Sequence, residues 1–286
     1  MDLLHETVVD LELTSGCCSN CVFCPRDKIR RLRQTMEMET VADLANHLSP
    51  NHVVWLSGMG EPLLHKDFVA IVRMLRRSGC LVYTNTNGMA PQTEVKLAVA
   101  KPDFVNLSLY GMDRESFKRT TGRDEFELVM ARIEWLRTSG LRWRLSYVTG
   151  DFNASVRADL KAELDKMSGG NARLLTAHSR TFGEEGQQVP PVCGLCEHYL
   201  FVACDGRILS CAHDVSAENV FDSKHPRPSR WISHREPGNP AEGLIWASKE
   251  KRWEYPFKNC YKCDSQGLKF KALEPGYFDK VRSLGR

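Results

Sequence analysis

From about residue 7 to residue 176, short apolar and β-branched runs alternate with longer segments whose apolar residues recur at helical spacing. The strand candidates are residues 8–13, 52–56, 81–84, 104–109, 141–148 and 172–176. Between them lie the helix candidates 39–48, 66–78, 93–100, 125–139 and 155–167. The period is clearest in the second of these, where Phe68, Ile71, Val72 and Leu75 fall at i, i+3, i+4 and i+7, one face of a helix. Repeated strand-then-helix units predict a parallel sheet with helices packed outside it, because parallel neighbours need a crossover connection. Six strand candidates fall short of the eight of a closed barrel, so the expected fold class is α/β, a partial (β/α)6 barrel of parallel strands.

Past residue 176 this alternation stops. Residues 177–192 have no period and end on Pro190-Pro191, which reads as a linker between a barrel over 1–176 and a small cysteine-rich β-hairpin/helix module over 193–286. Within the module, residues 199–202 and 207–209 form the arms of a hairpin with Asp205-Gly206 at its turn. Residues 216–242 hold Pro226, Pro228, Pro237 and Pro240 and little apolar pattern, the texture of a long loop.

Composition narrows the class. Among 286 residues, 39 Lys+Arg stand against 36 Asp+Glu, a formal charge of +3, which is neither the basic footprint of a dedicated nucleic-acid binder nor an acidic disordered tail. No run approaches the ~18 apolar residues of a membrane span, and the first residues lack the basic-then-apolar order of a signal peptide. The expectation is a cytoplasmic protein with no nucleic-acid or membrane partner. The 11 cysteines stand out against this background. All but Cys80 lie in three clusters, and in a reducing compartment clustered thiols point to metal or an iron–sulfur cluster.

In parallel α/β sheets the chemistry gathers at the C-terminal ends of the strands. Cys17-x3-Cys21-x2-Cys24 follows the first strand candidate, Ser57-Gly58-Met59-Gly60-Glu61-Pro62 the second and Thr86-Asn87-Gly88 the third, while Ser108 lies near the end of the fourth. Three thiolates suit a [4Fe–4S] cluster with one iron left open, whereas structural zinc would need a distant fourth ligand. Each signal has a plainer reading as well. Glu61 before Pro62 could cap the following helix, Asn87-Gly88 is a good turn, Ser108 could be a small packed residue, and Cys18 a bystander thiol.

The motif Cys17-x3-Cys21-x-Phe23-Cys24 resembles that of the radical S-adenosylmethionine (radical SAM) superfamily. Residues Ser57 to Pro62 resemble its Gly-Gly-Glu-Pro segment, and Thr86-Asn87-Gly88 and Asn106-Leu107-Ser108-Leu109-Tyr110-Gly111 resemble two further signatures. The resemblance implies that Cys17, Cys21 and Cys24 ligate a [4Fe–4S] cluster whose open iron takes the amino and carboxylate groups of SAM. It implies that the backbone of Gly58, Met59, Gly60 and Glu61 receives the SAM ammonium group, with the glycines permitting close approach. Phe23 is expected near the adenine, and Asn87 and Ser108 among the cofactor contacts. Cleavage of SAM would yield methionine and a 5′-deoxyadenosyl radical that removes a hydrogen atom from a substrate C–H bond, the electron coming from a flavodoxin- or ferredoxin-type donor.

Cys193, Cys196, Cys204, Cys211 and the closing pair Cys260 and Cys263 offer enough thiolates for zinc or a second cluster. Cys193-x12-Gly206-x4-Cys211, with Gly238-Asn239 and Leu244-Ile245-Trp246 ahead of Cys260, resembles the auxiliary-cluster modules called Twitch and SPASM. The resemblance implies an auxiliary [4Fe–4S] cluster on Cys193, Cys211, Cys260 and Cys263, with Cys196 also meeting the spacing of the first ligand. It implies a small-molecule substrate, a sugar or aminocyclitol, dehydrogenated with the auxiliary cluster as electron acceptor. The alternatives are epimerisation, with Cys196 or Cys204 returning a hydrogen atom, and maturation of a ribosomally made peptide. The last usually takes a leader-binding domain ahead of the barrel, which the start of the first strand near Val8 leaves no room for. A non-enzymatic iron–sulfur or zinc protein would explain the cysteines but not the segments at 57–62 and 86–88. The basic run at residues 26–33 reads as a solvated loop or as a contact for a phosphorylated or acidic partner.

Overall fold

A computed structural model describes residues 7–24, 26, 34–50, 52–150, 152, 159–176, 199–206, 208–209 and 282–285. Six strands alternate with helices: β1 (Thr7–Leu11), α1 (Met38–Ala45), β2 (His52–Leu56), α2 (Phe68–Arg77), β3 (Leu81–Thr86), α3 (Thr93–Ala100), β4 (Phe104–Leu109), α4 (Arg114–Thr121), α5 (Phe126–Thr138), β5 (Trp143–Thr149), α6 (Leu160–Ser168) and β6 (Ala172–Thr176). They pair parallel in the order β6-β5-β4-β3-β2-β1, the partial barrel that the alternation predicts.

Two differences from the sequence reading matter for the site. Between β4 and β5 there are two helices, not one. Asp113 caps α4 through a reciprocal box with Ser116, and Gly122, at φ +67°, ends it in the left-handed conformation that glycine adopts without strain. The helix is polar along most of its length, so apolar period alone does not reveal it. Second, the hairpin at 199–209 forms as expected, with β7 (Tyr199–Val202) antiparallel to β8 (Ile208–Leu209), but β7 also pairs parallel with β1. The hairpin therefore extends the barrel sheet beside the first strand. Of the auxiliary candidates, Cys193, Cys196, Cys211, Cys260 and Cys263 lie outside the described residues.

Alternate strand positions serve two faces. Val9, Leu11, Val54, Leu56, Val82, Val105, Leu107 and Leu145 face the helices and form the main core with Phe68, Ile71, Val72 and Leu75 of α2. On the concave face, Val8, Val53, Tyr83 and Phe104 form a second cluster, joined by Trp55, Leu81 and Leu284. The described C-terminal residues fasten there: the Tyr83 hydroxyl donates to Arg282 O at 3.1 Å and Arg282 Nη2 donates to Pro50 O at 3.2 Å. These contacts fill the floor, where the strands begin, and the chemistry-bearing residues stand at the other end.

Candidate active site

The loop that leaves β1 returns on itself. Met36 N donates to Leu13 O at 2.8 Å, Ser15 N to Gln34 O at 3.0 Å, and Gln34 N to Ser15 Oγ at 2.9 Å, which fixes the neck of the excursion carrying the cysteines. Its middle is tied to the end of α4, where Asn20 N donates to Thr121 O at 2.8 Å and Val22 N to Thr120 O at 3.0 Å. Between these anchors the Ser19 hydroxyl lies 3.3 Å from Cys17 Sγ and 3.4 Å from Cys21 Sγ, so two of the three candidate ligands converge on one small side chain. Cys24 follows in a tight turn, its N donating to Cys21 O at 2.9 Å.

The segment after β2 is held against this loop from three sides. Glu61 N donates to Gly16 O at 2.8 Å. A Cβ on Gly60 would overlap the carbonyl oxygens of Thr14 and Gly16, and one on Gly58, where φ is +120°, would stand 2.5 Å from Glu12 Cγ. What the two glycines let this segment approach closely is the chain of the β1 loop. The Glu61 side chain, 2% exposed, accepts from Leu63 N at 3.3 Å and from Thr86 Oγ1 and Asn87 N at 2.8 Å each. It caps the short 3-10 helix Pro62–Leu64 rather than the helix expected from residue 66, whose N-cap position is Asp67, and also clamps the β2 loop to the β3 loop. Burial pushes this carboxyl up to about 7 even though those donors favour its charged form.

The clamp carries Asn87 to the cysteines. Its Nδ2 donates to Cys17 Sγ at 3.4 Å and Cys18 Sγ at 3.5 Å, while its Oδ1 accepts from Met89 N at 2.9 Å. The Cys18 thiol is not idle: its hydrogen bond to Cys17, with help from Ser19, pulls Cys17 down to about 5 and drives Cys18 itself up. Burial raises Cys21 to about 11. Phe23 stacks on Phe152 with ring centroids 4.7 Å apart and meets Tyr110 at 5.5 Å. Ser108, half-buried near the end of β4, is hydrogen-bonded to the Tyr110 phenol, whose pKa burial raises well above its ordinary value.

Two site residues escaped the sequence reading. Glu12, fully buried, accepts from Met59 N at 2.8 Å through Oε2 and from Cys204 N at 3.4 Å through Oε1, joining β1, the β2 loop and the hairpin turn. Asp10 accepts a short hydrogen bond from the Ser57 hydroxyl. A charged residue between two leucines of a strand, as in Leu11-Glu12-Leu13, was the available signal. Cys204 itself is buried and packs into the main core.

The donor set fits a cluster. Three half-buried thiols on one loop beyond β1, with hydrogen-bond donors already beside two of them, supply the ligands of three irons and leave a fourth open. Among the described residues no three His, Cys, Asp or Glu side chains are drawn onto a single ion-sized point, and cluster ligands, each on its own iron, stand wider than the ligands of one ion.

A parallel partial barrel with a three-cysteine loop at the mouth of its first strand defines an iron–sulfur protein of the α/β-barrel class. The sequence profile of the radical SAM superfamily matches residues 11–160, more than half of the chain, and the chain belongs to that superfamily. It is 35% identical over 132 residues to a probable GTP 3',8-cyclase of Pyrococcus abyssi, an overlap of 45% of this chain and 42% of that protein. A probable GTP 3',8-cyclase of Saccharolobus islandicus is 36% identical over 129 residues, 43% of this chain and 41% of that one. The chain thus matches less than half the length of these curated relatives. Among solved structures, anSMEcpe with bound AdoMet superposes with a TM-score of 0.63 at 16% identity, over 97% of this chain and 95% of that one. Streptococcus suis SuiB bound to its precursor peptide SuiA superposes with a TM-score of 0.55 at 13% identity, over 84% of this chain and 66% of that one. At such identity the likeness concerns the fold. Among the described residues no helix is long and apolar enough to cross a membrane.

Proposed function

We propose that this radical SAM enzyme takes a hydrogen atom from a C–H bond of a sugar- or aminocyclitol-type small molecule and completes a two-electron dehydrogenation. Cys193, Cys211, Cys260 and Cys263 would hold the auxiliary [4Fe–4S] cluster that accepts the second electron. The observation that carries the radical step is the clamp: Glu61 fixes the β2 and β3 loops together, and Asn87 passes that order on to Cys17. When bound to Cys17, Cys21 and Cys24, the first cluster supplies the single electron that cleaves SAM, drawn from a flavodoxin- or ferredoxin-type donor. The chain does the positioning. The backbone of Gly58, Met59, Gly60 and Glu61, held by Glu12 and by the Ser57 bond to Asp10, would receive the ammonium group of SAM, and Phe23 and Tyr110 would give apolar area to its adenine end. Epimerisation through Cys204 is less well supported, because a hydrogen-atom donor must touch the substrate carbon and this thiol is 4% exposed in the core.

A second reading, a peptide substrate, draws on the similarity to anSMEcpe, solved with AdoMet and the Kp18Cys peptide, which spans 97% of this chain, and to SuiB with its precursor peptide. The curated relatives make GTP a third compound to assay.

The test is anaerobic reconstitution followed by dithionite and SAM. Two clusters predict about eight iron and eight sulfide per chain. 5′-Deoxyadenosine should form, and deuterium should move from a labelled sugar or aminocyclitol into it. Deuterium transfer only from peptides, or only from GTP, would replace the small-molecule reading. Absence of 5′-deoxyadenosine would remove the radical reading altogether.

A further inference from the structure

The concave wall of the barrel carries positive charge that no acidic side chain among the described residues neutralises. Arg144 lies on β5 between Trp143 and Leu145, which pack into the helix-side core, so its side chain belongs to the concave face. Arg173 does the same on β6, between Ala172 and Leu174. Ser146 is the register partner of Arg173, which sets the two arginines diagonally across adjacent strands, within reach of one another for long side chains.

The hydrogen-bond and ring partners of Arg144 among the described residues are neutral. Its guanidinium carbon stands 5.4 Å from the centroid of the Phe104 ring, and Nε donates to Asn106 Oδ1 at 3.3 Å. The same oxygen accepts from Ser146 Oγ at 2.6 Å. These partners aim the guanidinium and leave its charge intact. Among the described residues neither arginine has a carboxylate partner. Burial, and then the Arg173 charge, pull Arg144 down to about 10. A half-buried cation beside a second cation is costly unless an anion joins them.

We propose that Arg144, oriented by Asn106, and Arg173 form an oxyanion subsite that receives the phosphate group of a phosphorylated substrate. Two guanidinium groups side by side suit a dianion, which offsets both charges where a single carboxylate offsets one, and their planar forks match phosphate oxygens. The position fits a distal handle on the substrate. Phe23 of the cysteine loop reaches Tyr110 and Phe152 just beyond β4 and β5, so SAM at that loop covers the mouth of this wall, and Arg144, level with Asn106, lies deeper in the barrel, where another molecule would reach it. Ser146 is level with Ser108 in the β4–β5 register, which places the subsite within the barrel below its mouth.

The use of this subsite in catalysis rests on the proposed radical reaction, whereas phosphate binding does not. The test is equilibrium dialysis of the reconstituted full chain against radiolabelled inorganic phosphate, with SAM affinity measured in parallel. Phosphate should bind the wild type and bind about tenfold or more weakly to Arg144→Gln and to Arg173→Gln, with SAM affinity held within about twofold. Arg173 is exposed, so its variant tests the subsite even where Arg144→Gln fails to fold. Acetate should fail to displace the phosphate. No binding by the wild type, equal binding by the variants, displacement by acetate as effective as by phosphate, or loss of SAM rather than phosphate affinity in Arg144→Gln would each overturn the proposal. Failure of the radical reading has its own mark, a wild type that binds phosphate yet forms no 5′-deoxyadenosine.

Discussion

Gly60→Ala is the sharpest test of how the β1 and β2 loops are joined. The added methyl group would overlap the carbonyl oxygens of Thr14 and Gly16 and lie 2.8 Å from the Thr14 carbonyl carbon. All three atoms are backbone, so no side-chain rotation relieves the clash and one loop must move. One of those atoms, Gly16 O, is also the acceptor for Glu61 N, at 2.8 Å, so relief of that overlap stretches the hydrogen bond. Overpacking costs about 1–3 kcal/mol. A weakened buried hydrogen bond adds about 1 kcal/mol, for a total of roughly 2–4 kcal/mol. Gly16→Ala on the same loop is the control, because its Cβ would meet only Thr14 Oγ1, at an ordinary 3.4 Å. Urea unfolding of the three proteins, with a common m value, measures the difference, and SAM binding by the reconstituted proteins should fall in Gly60→Ala alone. If Gly60→Ala unfolds within about 0.5 kcal/mol of the wild type and binds SAM as well, the loops are not packed as described.

The remaining expectations concern charge and thiols. Glu12→Gln leaves one of two buried N–H donors, Met59 N or Cys204 N, facing an amide NH2, and should lower stability by about 1–3 kcal/mol in urea; an unchanged midpoint would exclude the bridge. The raised Glu61 carboxyl, about 7 against an ordinary 4.5, binds a proton more tightly in the folded chain, so stability from this group is full below 4.5 and falls as pH rises to 7. The span corresponds to about 3 kcal/mol, and Glu61→Gln should flatten that part of the stability profile of the metal-free chain; an equally steep profile would place the titration elsewhere. Changing Cys17, Cys21 and Cys24 together to Ala should abolish 5′-deoxyadenosine formation while the circular dichroism spectrum stays native; residual cleavage would mean other ligands. Cys260→Ala should bring iron to about half and leave SAM cleavage without product, and full product formation would remove the auxiliary cluster from the reaction.

Much of the fold was legible because its signals are local. Phe68, Ile71, Val72 and Leu75 place α2 by period alone, and β2, β4 and β6 run where their apolar residues do. The helix α4 escaped because a capping box and a terminal glycine, not an apolar stripe, mark it. The pairing of β7 with β1 joins residues nearly two hundred positions apart, and nothing within either strand specifies that partner.

The site divides along the same line. Spacing in the chain singled out the three cysteines, and the resemblance to a known family the glycines of the β2 loop and Asn87, because a motif of this kind is a record of which residue types one loop must carry. It could not say that Glu61 joins two loops, that Glu12 is buried beneath Gly58, or that Arg144 and Arg173 stand together with no acid beside them among the described residues. These are relations between strands. They exist only after the sheet has brought distant residues into register, where burial turns an ordinary carboxylate or guanidinium into a group that must find a partner.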